Sequence, residues 1–381
     1  MPALLPDVDP DGLLEYSVVY TDRAVNHMSH AFQEVMRDLS RGLCGVYGAE
    51  ALAIVPGSGT FGMEAVARQL ATDRRTLVLR TGWFSYRWTQ IFEAGGIPAT
   101  AEVLVSKRLG DGPQAPFEAP PLDQVRATIA QQRPEVVFAA HVETSTGLML
   151  PDGYLEAVAE ATHAVGGLFV LDCIASGAMW VDMAAVGVDV LLSAPQKGWT
   201  GPPCAGLVLL GPAGLAAVDA STSSSFAIDL RRWLGIMRAY EGGGHAYHAT
   251  MPTDALRTFR DVLQEAEGHG FALLKERQLE LGRRIRSRLA DAGYPSVAAH
   301  GYEAPGVVVS YTDDPEMKAG RAFAAAGVQI AAGVPLACGE GDAFSTFRVG
   351  LFGLDKLLDV DGTVARFSAA LEAIARGASK G

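Results

Sequence analysis

The chain has 381 residues, with 31 Lys and Arg against 43 Asp and Glu for a net charge of −12, and 49% of its residues are hydrophobic while only 19% are charged. So small a charged fraction beside so much apolar matter implies a globular chain with a large interior and excludes a disordered or fibrous one. The acidic balance, without any basic cluster, offers nucleic acid and anionic membrane no counterion-releasing surface, so small molecules are the expected partners.

The opening dozen residues are rich in Pro and Asp and carry neither the basic nor the apolar region of a secretory signal. No stretch reaches the roughly eighteen apolar residues that a membrane span needs, and a cytoplasmic protein is expected. Apolar, β-rich runs then recur at residues 51–55, 76–80, 100–105, 135–141, 167–172, 188–194 and 206–211. Their Val, Leu, Ile and Ala are nearly continuous rather than alternating, which predicts strands covered on both faces, and helical stretches such as 61–71 and 153–164 supply the cover. The predicted class is α/β, with seven strands in a mostly parallel sheet. The serine run at 221–225 is expected to be a surface loop. From 253 to 292 the pattern is helical and charged, with Gly268 and Gly270 marking a break near its middle, and reads as a connector. Beyond it, strands are predicted at 306–311, 328–331 and 347–351 and helices at 318–326 and 362–376, a smaller α+β unit. The expected organisation is an N-terminal segment of residues 1–30, a large domain over 31–260, and a connector helix with a small C-terminal domain over 261–381.

The first strand runs into Pro56-Gly57-Ser58-Gly59-Thr60 and then into a helix of small and apolar residues. Glycines admit a ligand close to backbone N–H groups, the helix N-terminus adds positive partial charge, and the Ser58 and Thr60 hydroxyls can donate, so the junction suits a phosphate. Taken alone it is equally a tight turn. Through Gly62 the same residues match G-x-G-x-x-G, the mark of a dinucleotide-binding dehydrogenase. That fold needs an acidic residue after the next strand to hold the ribose, whereas 76–80 is followed by Thr81, Gly82 and Trp83. A Gly-Lys-Ser/Thr triplet is missing too, which removes a nucleoside triphosphate.

Asp172 closes the strand at 167–172 and Lys197 follows the next one, so both emerge at the sheet edge that carries the glycine turn, where ligands of open α/β sheets bind. Singly, such an Asp is a cap and such a Lys a solvated residue. Together, an acid, an amine and a phosphate cradle are what pyridoxal phosphate chemistry uses. Cys44, Cys173, Cys204 and Cys338 stand far apart without a C-x-x-C pair, which fits reduced, unpaired thiols and no metal site.

The segments PGSGTFGMEAVARQL, HVETSTG, VLDCIAS, LLSAPQKGW, YHATMPT and FRVGLFG, in this order and spacing, resemble the class V aminotransferases of fold type I over roughly residues 31–353. Within them the resemblance is above all to alanine:glyoxylate, serine:pyruvate and 2-aminoethylphosphonate:pyruvate aminotransferases. It implies a pyridoxal-phosphate-dependent aminotransferase with the fold type I architecture. The enzyme would move an amino group from a small donor of the alanine, serine or 2-aminoethylphosphonate type to a small 2-oxo acid, pyruvate or glyoxylate. By resemblance Lys197 is the Schiff-base lysine and Asp172 the partner of the pyridinium nitrogen. Ser58, Gly59 and Thr60 form the phosphate cradle, with Gln196 nearby; Phe84 stacks on the cofactor and Thr144 meets its ring hydroxyl. Tyr247 and Thr250 match positions that reach the phosphate in the neighbouring subunit, which implies a homodimer. Arg348 matches the arginine that binds the substrate carboxylate as a bidentate fork.

Read by residue type alone, Phe84 is an aromatic in a Gly-flanked loop that either stacks on a ligand or packs in the core. By the same standard Arg348 is a surface arginine and Tyr247 to Thr250 a polar loop. Pro195 and Trp199 stand where relatives carry smaller residues, so a reshaped pocket is expected. The rival within the family is a cysteine desulfurase or β-lyase with Cys338, ten residues before Arg348, as its nucleophile. Against it, desulfurases stack a histidine where this chain has Phe84, and a small Cys in an Ala/Gly/Pro-rich loop suits inert packing. A binding module that kept the fold without turnover would have no need of Lys197.

Overall fold

In the computed structural model, which describes residues 13–378, the seven apolar runs form one sheet. Its strands are β1 (Ala51–Pro56), β2 (Arg75–Arg80), β3 (Thr100–Val105), β4 (Val136–Ala140), β5 (Leu168–Asp172), β6 (Val190–Ser193) and β7 (Ala205–Leu210). Their spatial order is β1-β7-β6-β5-β4-β2-β3. The pairs from β6 across to β3 are all parallel, while β7 runs against both β6 and β1. Two reversals restore direction, so β1, β5 and β6 point the same way and their C-terminal ends share an edge. Burial is continuous along the central strands: Phe169, Val170 and Leu171 of β5 are wholly enclosed, as a strand covered on both faces requires. Each contributes about 1.5–3 kcal/mol of hydrophobic stabilisation.

The cover comes from helices α1 (His30–Tyr47), α2 (Gly59–Leu70), α3 (Trp83–Gly95), α4 (Leu122–Gln132) and α5 (Asp152–Ala164), joined by Leu230–Glu241 and Thr253–His269. α1 lies outside the elements that the apolar runs predict. It starts where the Ser29 hydroxyl accepts the Phe32 N–H and stops at Gly48, which takes φ +64°. Between them Phe32, Val35, Met36, Leu39 and Leu43 make a buried stripe at helical spacing. α2 lies flush on the sheet because two glycines face each other: a Cβ on Gly206 of β7 would come within 2.8 Å of Gly62 Cα. That close approach sets the N-terminus of α2 at the shared strand edge.

The charged connector is two helices, Thr253–His269 and Phe271–Asp291, separated by Gly270 at φ +89°. Leu256, Phe259 and Leu263 of the first belong to the core beneath the large sheet, whereas Leu274, Leu281, Ile285 and Leu289 of the second belong to a separate core. That second core carries an antiparallel sheet of β8 (Val307–Tyr311), β9 (Ala331–Ala332) and β10 (Thr346–Gly350), ordered β8-β10-β9. The strand expected at 328–331 is reduced to the two exposed residues of β9. The helix expected at 318–326 is divided into Pro315–Lys318 and Arg321–Ala325, because Gly320 between them takes φ +76°, through which a right-handed helix cannot pass. The last helix, Val360–Ala378, is longer than its apolar pattern predicts. Among the described residues no helix is long and apolar enough to cross a membrane, and no group of His, Cys, Asp or Glu is placed to hold a metal ion. All four cysteines are free thiols.

Candidate active site

At the end of β1 the chain turns through Gly57 at φ +128°, where a Cβ would also lie 2.7 Å from the Phe61 ring. Ser58 follows as the N-cap of α2 in extended conformation, and its hydroxyl makes no capping bond. The first-turn N–H groups of α2 therefore face outward at the positive end of the helix, with the Ser58 and Thr60 hydroxyls beside them. A Cβ on Gly59 would lie 2.6 Å from Cδ1 of Ile174, so only glycine lets this turn sit against the segment leaving β5.

Asp172 is the last residue of β5, is 6% exposed, and accepts the Ile174 N–H at 2.8 Å. Burial pushes its carboxyl up to about 7; the Ile174 N–H pulls it back, the Glu143 charge adds to the rise, and Arg87 and Lys197 oppose it. Lys197 is half-buried beyond the end of β6. Burial holds its amine below the ordinary lysine value, the Arg348 and Arg87 cations lower it further, and Asp172 works the other way.

Phe84 is not in a loop. It lies in the first turn of α3, and the device that starts this helix comes from far along the chain. Fully buried Glu143 accepts the N–H of Phe84 at 3.1 Å and of Ser85 at 2.8 Å on one side, and the N–H and hydroxyl of Ser145 at 3.1 and 2.8 Å on the other. Gly82 is required here by space, since a Cβ would overlap Ser145 Oγ and approach Glu143 Cγ to 2.6 Å. One turn on, Arg87 donates to the Thr60 hydroxyl at 3.0 Å, with its guanidinium 5.3 Å from the centroid of the Phe84 ring.

These elements enclose a cavity of ≈ 180 Å³. Ser58, Gly59 and Thr60 line one end, Phe84 and Arg87 enter from α3, and Thr144 comes from the turn after β4. Asp172, Gln196 and Lys197 complete the wall. Eight of the residues singled out from sequence thus meet in one place. Arg348 lies at its margin: its Nε donates to the Ala332 carbonyl at 2.8 Å, and its guanidinium stands 5.7 Å from the Phe84 ring centroid. Tyr247 and Thr250 do not enter the cavity of their own chain; they bond to each other at 3.1 Å on an exposed loop. Trp199 does not line the cavity. It is buried, tilted against Trp180 with ring centroids 4.4 Å apart and donating to the Ser193 hydroxyl at 3.1 Å.

Cys338 is not among the lining residues either. Its thiol lies 3.6 Å from the Arg80 and Leu336 carbonyls, and burial pushes it up to about 12, far from the thiolate a nucleophile needs. Two residues of the site escape sequence reading. Glu143 was in plain view within the HVETSTG segment, but only its hydrogen bonds reveal its use; Arg87 falls on the same face as Phe84 only once α3 is known to be a helix.

The residues present suit pyridoxal phosphate. An uncapped helix N-terminus suits an anion, and a buried carboxylate that makes no ion pair among the described residues suits a cationic ring nitrogen. The buried Gln196 Oε1 has no hydrogen-bond partner among the described residues, and a lysine with a lowered pKa faces the same space.

Residues 14–335 match the family model Aminotransferase class-V. The chain is 30% identical over 365 residues, 93% of its own length and 90% of the other, to 2-aminoethylphosphonate–pyruvate transaminase of Burkholderia mallei. It is 26% identical over 345 residues, 82% of either chain, to alanine–glyoxylate aminotransferase 1 of Saccharomyces cerevisiae. The fold superposes with a TM-score of 0.77 on the crystal structure of alanine–glyoxylate aminotransferase from Nostoc sp., at 23% identity over 92% of this chain and 89% of that one.

Proposed function

The chain belongs to the class V aminotransferases, and we propose that it moves an amino group from a small donor of the alanine, serine or 2-aminoethylphosphonate type to pyruvate or glyoxylate. Its cofactor, pyridoxal phosphate, supplies an aldehyde that takes up the amino group and a ring that accepts the electrons of the Cα–H bond. Ser58, Gly59 and Thr60, with Gln196 close by, hold the phosphate at the N-terminus of α2. Phe84 would lie against the ring and Thr144 would meet its hydroxyl. Asp172 keeps a proton at the ring nitrogen, which in turn relieves the cost of its own burial. Lys197, whose amine is held below the ordinary lysine value by burial and by the Arg348 and Arg87 cations, would bond the cofactor carbon and, once released, carry the proton from the donor Cα.

The observation that carries the choice of substrate is the position of Arg348. Its guanidinium is 5.7 Å from the Phe84 ring and near enough to Lys197 to depress that amine, so an acid gripped by its fork directs toward Lys197 the amino-bearing carbon, one bond from the acid group in an α-amino acid and two in 2-aminoethylphosphonate. The relative named for 2-aminoethylphosphonate and pyruvate supports a phosphonate as well as a carboxylate donor. Two copies pair, so that Tyr247 and Thr250 of one reach the phosphate of the other; their position on an exposed loop, clear of their own cavity, supports this. The four free thiols fit a cytoplasmic protein.

The test is turnover of the cofactor-loaded protein with L-alanine, L-serine or 2-aminoethylphosphonate as donor and pyruvate or glyoxylate as acceptor (pyruvate being omitted with L-alanine). One donor is expected to release its oxo product. Lys197→Ala should lower that rate at least about 10³-fold, and Arg348→Lys should raise the KM of the acid about 10- to 100-fold. Loaded protein that releases no oxo product from any of the three donors would refute this substrate range.

A further inference from the structure

We propose that Arg87 is a ligand of the cofactor phosphate. The inference rests on the reading above that places this phosphate at the N-terminus of α2. Three cationic side chains face the cavity or its margin, and two have uses: Lys197 for the amino group and Arg348 for the acid. Arg87 is left over. It is half-buried and, among the described residues, makes no ion pair, although the Asp172 carboxylate on the same cavity feels its charge. Its hydrogen bond to the Thr60 hydroxyl occupies one of the five donors of a guanidinium.

The direction of that bond is the informative feature. Thr60 is in the first turn of α2, so Arg87 points its cation at the positive end of a helix dipole. Two positive ends brought together over a half-buried cavity repel each other unless an anion lies between them. A dianionic phosphate there receives the α2 N–H groups from one side and the Arg87 fork from the other. Phe84, three residues earlier on the same face of α3, has its ring centroid 5.3 Å from the guanidinium and helps to hold it in place. The substrate acid is the less suitable anion, because the α2 contact ties Arg87 to the phosphate end while Arg348, anchored on the Ala332 carbonyl, stands at the margin.

The experiment compares cofactor-free wild type, Arg87→Lys and Arg87→Met in binding titrations with pyridoxal 5′-phosphate and with pyridoxal, which differ only in the phosphate. Arg87→Met is expected to raise the dissociation constant of the phosphate ester about 10- to 100-fold and that of pyridoxal by less than about twofold. Arg87→Lys, which keeps the charge and loses the fork, should fall between them and serves alone if the Met variant does not fold. A wild-type preference for the phosphate ester that survives in the variants overturns the inference alone. So does an equal loss for both ligands, since Arg87 would then be placing the Phe84 ring. Equal wild-type affinity for the two ligands would instead overturn the α2 cradle, and this inference with it.

Discussion

Asp172→Asn should make the cofactor-free protein more stable while disabling the enzyme. The carboxyl stands at about 7 in the folded chain against 3.8 unfolded, so between those values the folded state binds more protons than the unfolded one. Stability of the cofactor-free protein therefore falls as pH rises from about 4 to about 7 and stays reduced above that. The cost is about 4 kcal/mol at pH 8 and about 2 kcal/mol at pH 5. Asparagine keeps an oxygen to accept the Ile174 N–H and carries no charge at either pH. Its advantage over wild type should accordingly be about 2–3 kcal/mol larger at pH 8 than at pH 5. Urea unfolding of both cofactor-free proteins, followed by tryptophan fluorescence, measures this directly. Turnover of the loaded variant should drop about 10²- to 10³-fold, because no negative charge then holds the proton of the ring nitrogen. An advantage independent of pH would refute the reasoning, for it would mean that Asp172 bears no burial cost for the cofactor to relieve.

Glu143→Gln replaces one acceptor oxygen by an NH2 group that faces the N–H groups of Phe84 and Ser85 or of Ser145. A loss of about 2–4 kcal/mol in urea unfolding is expected, together with weaker cofactor binding as the start of α3 loosens. A change below about 0.5 kcal/mol would show that the cap carries little of the stability of α3. Cys338→Ala should leave transamination within about twofold of wild type, since a thiol raised by burial to about 12 is not a nucleophile at neutral pH. Disappearance of turnover in that variant would restore the desulfurase or lyase reading.

Much of the site was legible because its residues stand at the ends of buried strands. A strand enclosed on both faces is a continuous apolar run, so its limits can be read, and a polar residue such as Asp172 at its end marks the place where chemistry begins. The glycine turn was legible for a different reason: Gly57 and Gly59 are positions where the backbone conformation or a neighbouring side chain leaves no space for a Cβ. What could not be read was whatever depends on partners remote in sequence. Residues 81 to 84 have the composition of a loop, and α3 begins there because Glu143, 58 residues beyond Ser85, supplies the cap that a local Ser or Asp usually provides. Trp199 looked too bulky for a pocket wall, and it is buried against the ring of Trp180, a neighbour it gains only once the chain has folded.

The sequence by itself determined the α/β class, the seven strands, the glycine turn at the end of β1 and the placing of Asp172 and Lys197 at one edge, since hydrophobic pattern and steric need are properties of short segments. Only the tertiary structure decided that β7 runs against its neighbours, that Arg87 faces the cavity beside Thr60, and that Tyr247 and Thr250 stay clear of their own pocket. An apolar run buries equally well in either direction, and a side chain far along the chain has no neighbour until the sheet and its helices have brought one to it.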